Sequence, residues 1–251
     1  MEPQAPKPWY ADIPNYMTLA NLGCGVLALL WIGDGNLQGA SWLMLLAAGL
    51  DFLDGFTARL LKVASPLGAQ LDSLADLVTF GVVPGFIIHA MMNNYGYCPA
   101  EGFCINTYVF ILIPLFSAWR LANFNIDTRQ REGFLGVPTP ANGLLIASFP
   151  FIAGSGFWLD AIITDFYFLK FFPLVAGFLL VSDLPLMAFK FKSFGLKENV
   201  FRYLFLVGML VLLLIWGWKA VPLVFVGYLL ISLLHYAANR KGKVAQEQEK
   251  D

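Results

Sequence analysis

Residues 51–81 read DFLDGFTARLLKVASPLGAQLDSLADLVTFG. Two apolar stretches meet here across a short turn, and each carries a pair of aspartates where a membrane would exclude them. Asp51 and Asp54 are spaced i, i+3 and share one helix face; Asp72 and Asp76 are spaced i, i+4 and share another. A carboxylate at the bilayer centre costs about 2.5–3.5 kcal/mol on insertion scales. Four of them converging across one turn need a partner, and the natural partner is a divalent cation. Mg²⁺ takes octahedral oxygen coordination at about 2.0–2.1 Å and is usually completed by phosphate or water. Three or four aspartates can hold one such ion, or two ions about 3.5–4 Å apart clamping a phosphoryl group. Gly68 extends the Asp72 and Asp76 stripe, while Gly55 and Ala58 keep the first helix slim on its acidic side. Small residues let a helix or a ligand come close. Arg59 closes that helix with a guanidinium fork suited to phosphate oxygens.

The rest of the chain identifies the solvent these acids are hiding from. Its 251 residues are 58% hydrophobic and only 13% charged, with a net charge of -1. Soluble domains average about 25% charged residues. The mean hydropathy of +0.66 points the same way. Such a chain cannot cover a water-facing surface, which excludes a soluble enzyme, a disordered chain and a charged tail protein. Three cysteines cannot staple 251 residues into a secreted disulfide scaffold. Lipid is the solvent.

A spanning helix needs about 20 mostly apolar residues. Runs of that kind lie near 14–32, 37–62, 70–92, 107–125, 141–154, 162–182, 200–217 and 220–238, so eight spans are expected. The runs are continuous and Leu-rich rather than alternating, which argues against a β-barrel. The fold class is therefore an all-α integral membrane protein with about eight transmembrane helices. It forms one membrane domain: a lead-in at 1–12, core helices over 13–182, C-terminal helices over 183–238 and a tail at 239–251. The first apolar run continues as a full span, so no cleavable signal is expected.

Loop charge orients the chain. With both termini inside, 14 of the 16 lysines and arginines fall on the cytoplasmic side, and only Lys170 and Lys219 fall outside. That is a strong positive-inside signal. Seven spans would put the cluster at 190–197 and the cluster at 240–243 on opposite faces. The expected location is a bacterial or archaeal inner membrane, with the acidic turn and both termini cytoplasmic.

The segment fits D-x2-D-G-x2-A-R-x8-G-x3-D-x3-D at Asp51, Asp54, Gly55, Ala58, Arg59, Gly68, Asp72 and Asp76 without a mismatch. In this the chain resembles the CDP-alcohol phosphatidyltransferases, integral membrane enzymes of phospholipid synthesis. The resemblance implies a six-helix catalytic core, here with two extra helices, commonly dimeric and opening to the cytoplasm. It also implies that a CDP-lipid binds at the acids and that an alcohol displaces CMP. Further stretches resemble the serine-using, membrane-embedded members of that family. These are Ile13-Pro14-Asn15 running on to Thr18 and Asn21, the run RLANFN at 120–125, and FLGVPTPAN at 134–142. Asn123 stands where that pattern has arginine, Val137 where it has leucine, and Asn142 where it has a small residue.

The resemblance therefore implies transfer of a phosphatidyl group from CDP-diacylglycerol to L-serine, with membrane lipids and a second copy of the chain as partners and no nucleic acid. Asp51, Asp54, Asp72 and Asp76 are the expected ligands of Mg²⁺ or Mn²⁺, with Asp76 also the general base. Asn15, Thr18, Asp51, Gly55, Ala58, Arg59 and Gly68 are expected around the CDP-lipid. Arg120, Asn123, Asn125 and Pro138 are expected around the acceptor. The residues themselves are compatible with serine: an acceptor bearing phosphate should need several cations, whereas serine needs one group for its carboxylate. Glycerol 3-phosphate, an inositol phosphate or an amino alcohol stands as the alternative acceptor.

A divalent-cation transporter is the alternative of another class. A transporter places its acids near the midplane on non-adjacent helices. These acids cluster at one turn beside Arg59, which repels a lone cation and attracts phosphate. The remaining polar residues read more simply. His89 and His235 have no ligand spacing, Cys24 is packing, and Asp183 ends a helix before Pro185. Arg129 and Arg131 read as orientation and headgroup contacts. Cys98 and Cys104, in an expected external loop, read equally as a pair or as free thiols.

Overall fold

The computed structural model describes residues 9–97, 105–126, 134–186 and 200–248. Each apolar run expected from the sequence coincides with helix. α1 (Ile13–Gly33) and α2 (Leu37–Leu61) form a hairpin. Its turn uses Gly35 at φ +79° and the Asn36 side chain, which accepts the Gly39 N–H at 2.9 Å. α3 (Pro66–Asp76) continues through a π-helical turn at Leu77–Val82 into α4 (Val83–Asn94). Pro84 explains that turn. Its ring has no N–H and crowds the carbonyl four residues back, so the preceding turn widens and Val83 N–H bonds Val78 O.

α5 (Leu112–Ile126) follows a 3-10 segment at Ile105–Ile111. The fifth run is broken: α6 (Thr139–Ala147) passes into a single turn, α7 (Phe149–Ile152), at the Ser148–Phe149–Pro150 step. A further turn, α8 (Asp160–Ile163), precedes α9 (Phe166–Val181), whose first turn is capped by Asp165 accepting the Phe168 N–H at 2.9 Å. α10 (Val200–Trp216) and α11 (Val221–Gln248) complete the chain. α11 runs ten residues past the expected end of the last span, through a tail in which Arg240, Lys241, Lys243, Ala245, Gln246, Glu247 and Gln248 are good helix formers. Among the described residues the one extended pairing is β1 (Phe134–Leu135) antiparallel to β2 (Pro185–Leu186).

Among the described residues, four helical stretches are long and apolar enough to cross a bilayer: Tyr10–Gly33, Pro66–Asn94, Tyr108–Ile126 and Tyr203–Leu234. Thr139–Ile152 and Phe166–Val181 are apolar but shorter. The stretch Tyr203–Leu234 is not one straight rod. Phe205 and Tyr228 would lie about 34 Å apart along a continuous helix, yet their rings are 5.7 Å apart. The chain reverses at Gly217, at φ +55°, so α10 and α11 are an antiparallel pair.

The distribution of residues is that of an integral membrane protein. Leu30, Phe178 and Leu214 are exposed, whereas Asn21, Ser41 and Thr79 are fully buried. The apolar core lies toward one end, where Ala28, Ala40, Met44, Ala47, Ile87, Met91 and Phe149 pack together. Here α2 and the α10–α11 turn are joined through rings, Trp218 stacking on Phe151 at 5.1 Å and meeting Trp42 edge-on. The buried acids occupy the other end.

Candidate active site

Local chemistry fixes the turn that joins the two acidic helices. α2 stops at Lys62, a non-glycine residue at φ +56°, with Val63 N–H returning to Ala58 O. Three residues later Ser65 caps α3: its Oγ accepts the Gly68 N–H at 3.0 Å and Pro66 opens the first turn. Gly68 sits close to its neighbours: a Cβ there would lie 3.1 Å from Asn15 Oδ1 and 3.3 Å from Ser65 Oγ, so those side chains would have to give by a few tenths of an ångström.

Asp51, Asp72 and Asp76 converge, each offering a carboxylate oxygen within 4.8 Å of the others. Asp51 and Asp72 approach to hydrogen-bonding contact. Two carboxylates do that only by sharing a proton or a cation. Asp72 Oδ1 is buried with no hydrogen-bond partner among the described residues. An oxygen in that state, beside two more acids, is the donor set a hard divalent cation takes, so the residues fit one.

Asp54 takes a different place: it is 5% exposed and accepts from Thr18 Oγ1 at 2.5 Å. Asp76 accepts from Asn21 Nδ2 at 3.4 Å, leaving Asn21 Oδ1 without a partner. Thr79 donates to Asn21 O at 3.3 Å, so α1 is tied to the α3–α4 rod directly behind the acids.

Next to the acids lies a cavity of about 230 Å³. Asn15, Thr18, Gly55, Ala58, Arg59 and Gly68 line it together with Asp54 and Asp72. Asp51 does not line this cavity; it stands in the three-acid cluster beside it. The Arg59 guanidinium lies over Gly55, its terminal nitrogens 3.7 and 3.9 Å from where a Cβ would stand. A Cβ at 55 would stand in ordinary van der Waals contact with that fork.

The residues expected around an acceptor are dispersed. Arg120 is 8% exposed, inside α5 rather than at a loop, and interacts electrostatically with Asp76. Its Nε has no hydrogen-bond partner among the described residues. Asn123 is exposed, and Asn125 donates to Ser73 Oγ at 2.9 Å on the exposed side of α3. Pro138 is half-buried and precedes α6. Arg129, Arg131, Cys98 and Cys104 lie outside the described residues. Sequence reasoning gave no role to Asn21, Ser117, Thr139 or Asn142, all buried and each with a polar atom that has no partner among the described residues. The available signal was a polar residue inside an apolar helix.

The sequence pattern of the CDP-alcohol phosphatidyltransferases matches residues 11–182. A CDP-diacylglycerol–serine O-phosphatidyltransferase of Helicobacter pylori is 32% identical over 196 residues, covering 77% of this chain and 79% of the relative. One of Bacillus subtilis is 36% identical over 142 residues, 55% of this chain and 76% of that protein. An archaetidylserine synthase of Methanothermobacter thermautotrophicus is 35% identical over 142 residues, 56% of this chain and 58% of that protein.

Proposed function

The chain belongs to the CDP-alcohol phosphatidyltransferase family, and on that premise we propose that it transfers the phosphatidyl group of CDP-diacylglycerol to L-serine, releasing phosphatidylserine and CMP. The observation that carries the reaction class is the three-acid cluster of Asp51, Asp72 and Asp76 set against a cavity that Arg59 overhangs. Serine-named relatives from three distant organisms support the acceptor.

In this reading the serine hydroxyl oxygen attacks the phosphorus that bears the diacylglycerol. The phosphoanhydride bond to CMP breaks, and Asp76 takes the hydroxyl proton. Asp51, Asp72 and Asp76 would hold Mg²⁺ or Mn²⁺, with Asp54 the fourth acid of the set, fixed by Thr18. A cation there supplies charge neutralisation for the phosphoryl oxygens and the leaving CMP. Arg59 binds pyrophosphate oxygens, while Gly55, Ala58 and Gly68 leave room for the nucleotide-lipid beside Asn15 and Thr18. Arg120 faces the acceptor carboxylate; Asn123, Asn125 and Pro138 border the approach to it. The 14-to-2 charge split assigns the acidic end and both termini to the cytoplasm. A homodimer is carried over from the family.

Purified protein given CDP-diacylglycerol and a panel of alcohols, with CMP release as readout, tests this. L-Serine is expected to support the fastest release. Preference for glycerol 3-phosphate would reject the acceptor and leave the reaction class standing.

A further inference from the structure

Arg120 Nε, Thr139 Oγ1 and Asn142 Nδ2 are buried polar atoms with no partner among the described residues. The side chains are 8%, 0% and 1% exposed. Burying such groups unpaired is unfavourable, so something outside the described residues satisfies them.

They lie on two helices that meet at one place. α5 and α6 both pack on the π turn that follows Asp76. On the α5 side, a Cβ at Gly81 would meet Ser117 at 3.0 Å, and Arg120 lies one turn further along, within electrostatic range of Asp76. On the α6 side, a Cβ at Gly143 would meet Phe80 Cα at 3.0 Å. α6 and α7 run in the same direction as α4, because Pro150 shares a cavity with Met91 at the far end. Going back along α6 from Gly143 is therefore going back from Phe80 towards Asp76. Thr139 and Asn142 lie on that approach.

The donors also match in kind. Pro138 precedes α6 with no side-chain cap, so the positive end of the helix dipole lies at the end that carries Thr139. A guanidinium, an amide N–H, a hydroxyl and a helix N-terminus call for a ligand that only accepts, and a carboxylate does.

We propose that Thr139 and Asn142 receive the carboxylate of the acceptor amino acid opposite Arg120 and so select serine. The inference rests on the serine reading above. It makes Asn142 a specificity residue, distant from the phosphoryl group, whose loss weakens acceptor binding and leaves the nucleotide-lipid alone.

The test uses full-length wild type, Asn142→Ala, Asn142→Asp and Thr139→Val, with CMP release measured against L-serine and against CDP-diacylglycerol separately. L-Serinamide, which lacks the carboxylate charge, is added as a competitor. The KM for L-serine is expected to rise about tenfold in Asn142→Ala, the scale of one charge-assisted hydrogen bond, and further in Asn142→Asp. The KM for CDP-diacylglycerol and the inhibition by L-serinamide should stay within about twofold, which also reports that the variants are folded. An unchanged serine KM in both Asn142→Ala and Thr139→Val would overturn the inference and leave the serine reading intact. A wild type that releases no CMP with serine would overturn the acceptor reading, and this inference with it.

Discussion

Asp72 is the residue on which the site turns. It touches Asp51, stands within 4.8 Å of Asp76, lines the cavity with Asp54, and keeps one oxygen unpartnered. Asparagine keeps the volume and removes the charge. Asp72→Asn and Asp51→Asn are each expected to lower CMP release by more than about 100-fold, the scale of losing one charge-stabilising group. Circular dichroism and gel filtration should remain unchanged. Near-wild-type turnover in both would sink the three-acid site. Arg120 carries a separate prediction. It is buried within electrostatic range of Asp76, and lysine would keep its charge but lose the planar fork. Arg120→Lys should raise the KM for serine by about tenfold with little change for CDP-diacylglycerol. If the nucleotide-lipid KM rises instead, Arg120 belongs to the phosphate pocket.

At the scale of elements, the site depends on how closely α1 lies against the α3–α4 rod. That approach is set by Gly25: a Cβ there would fall 2.5 Å from Thr79 Oγ1 and 3.2 Å from Thr79 Cα. Thr79 is fully buried and bonded to α1 through Asn21 O, so it has nowhere to move. Gly25→Ala must therefore push the helices apart, and overpacking of this kind costs about 1–3 kcal/mol. The variant is expected to unfold at lower temperature in detergent and to lose activity as well, because Asn21 and Asp76 lie one turn from the contact. A Tm equal to wild type would show that the rod can shift without strain. The π turn belongs to the same argument. It adds a residue to the turn after Asp76, and so sets where Phe80 and Gly81 meet α6 and α5 relative to the acids.

The whole molecule is polarised. The apolar core fills the end holding Met44, Met91 and Phe149, and the buried acids fill the other. Gly154–Gly156 belongs to the first end and shares a cavity with Tyr95; Asp183, beyond α9, belongs to the second, beside the β1–β2 pairing. If the charge split orients the chain, the first end faces outward. In a background with Cys24, Cys98 and Cys104 replaced by serine, an impermeant thiol reagent should label Ser155→Cys in sealed cells. It should reach Asp183→Cys only after permeabilisation. The opposite pattern would invert the molecule and put the acids on the wrong face for a cytosolic amino acid.

The sequence by itself determined the solvent, the helices and the acids. Composition excludes water, apolar runs locate the helices, and fixed spacings of three and four residues put each pair of aspartates on one face whatever the helix packs against. Those are local properties of one chain segment. Tertiary structure alone decided which acids meet. Asp54 is held by Thr18, 36 residues away, while Asp76 swings to Asp51 and Asp72 and is steadied by Asn21, 55 residues away. It also decided that Arg120 turns inward and that Asn123 and Asn125 lie exposed. The physical reason is rotation. Which face a helix presents depends on the π turn at Leu77–Val82 and on the close contacts of Gly25, Gly81 and Gly143 with distant partners, and no period in a single segment encodes that phase.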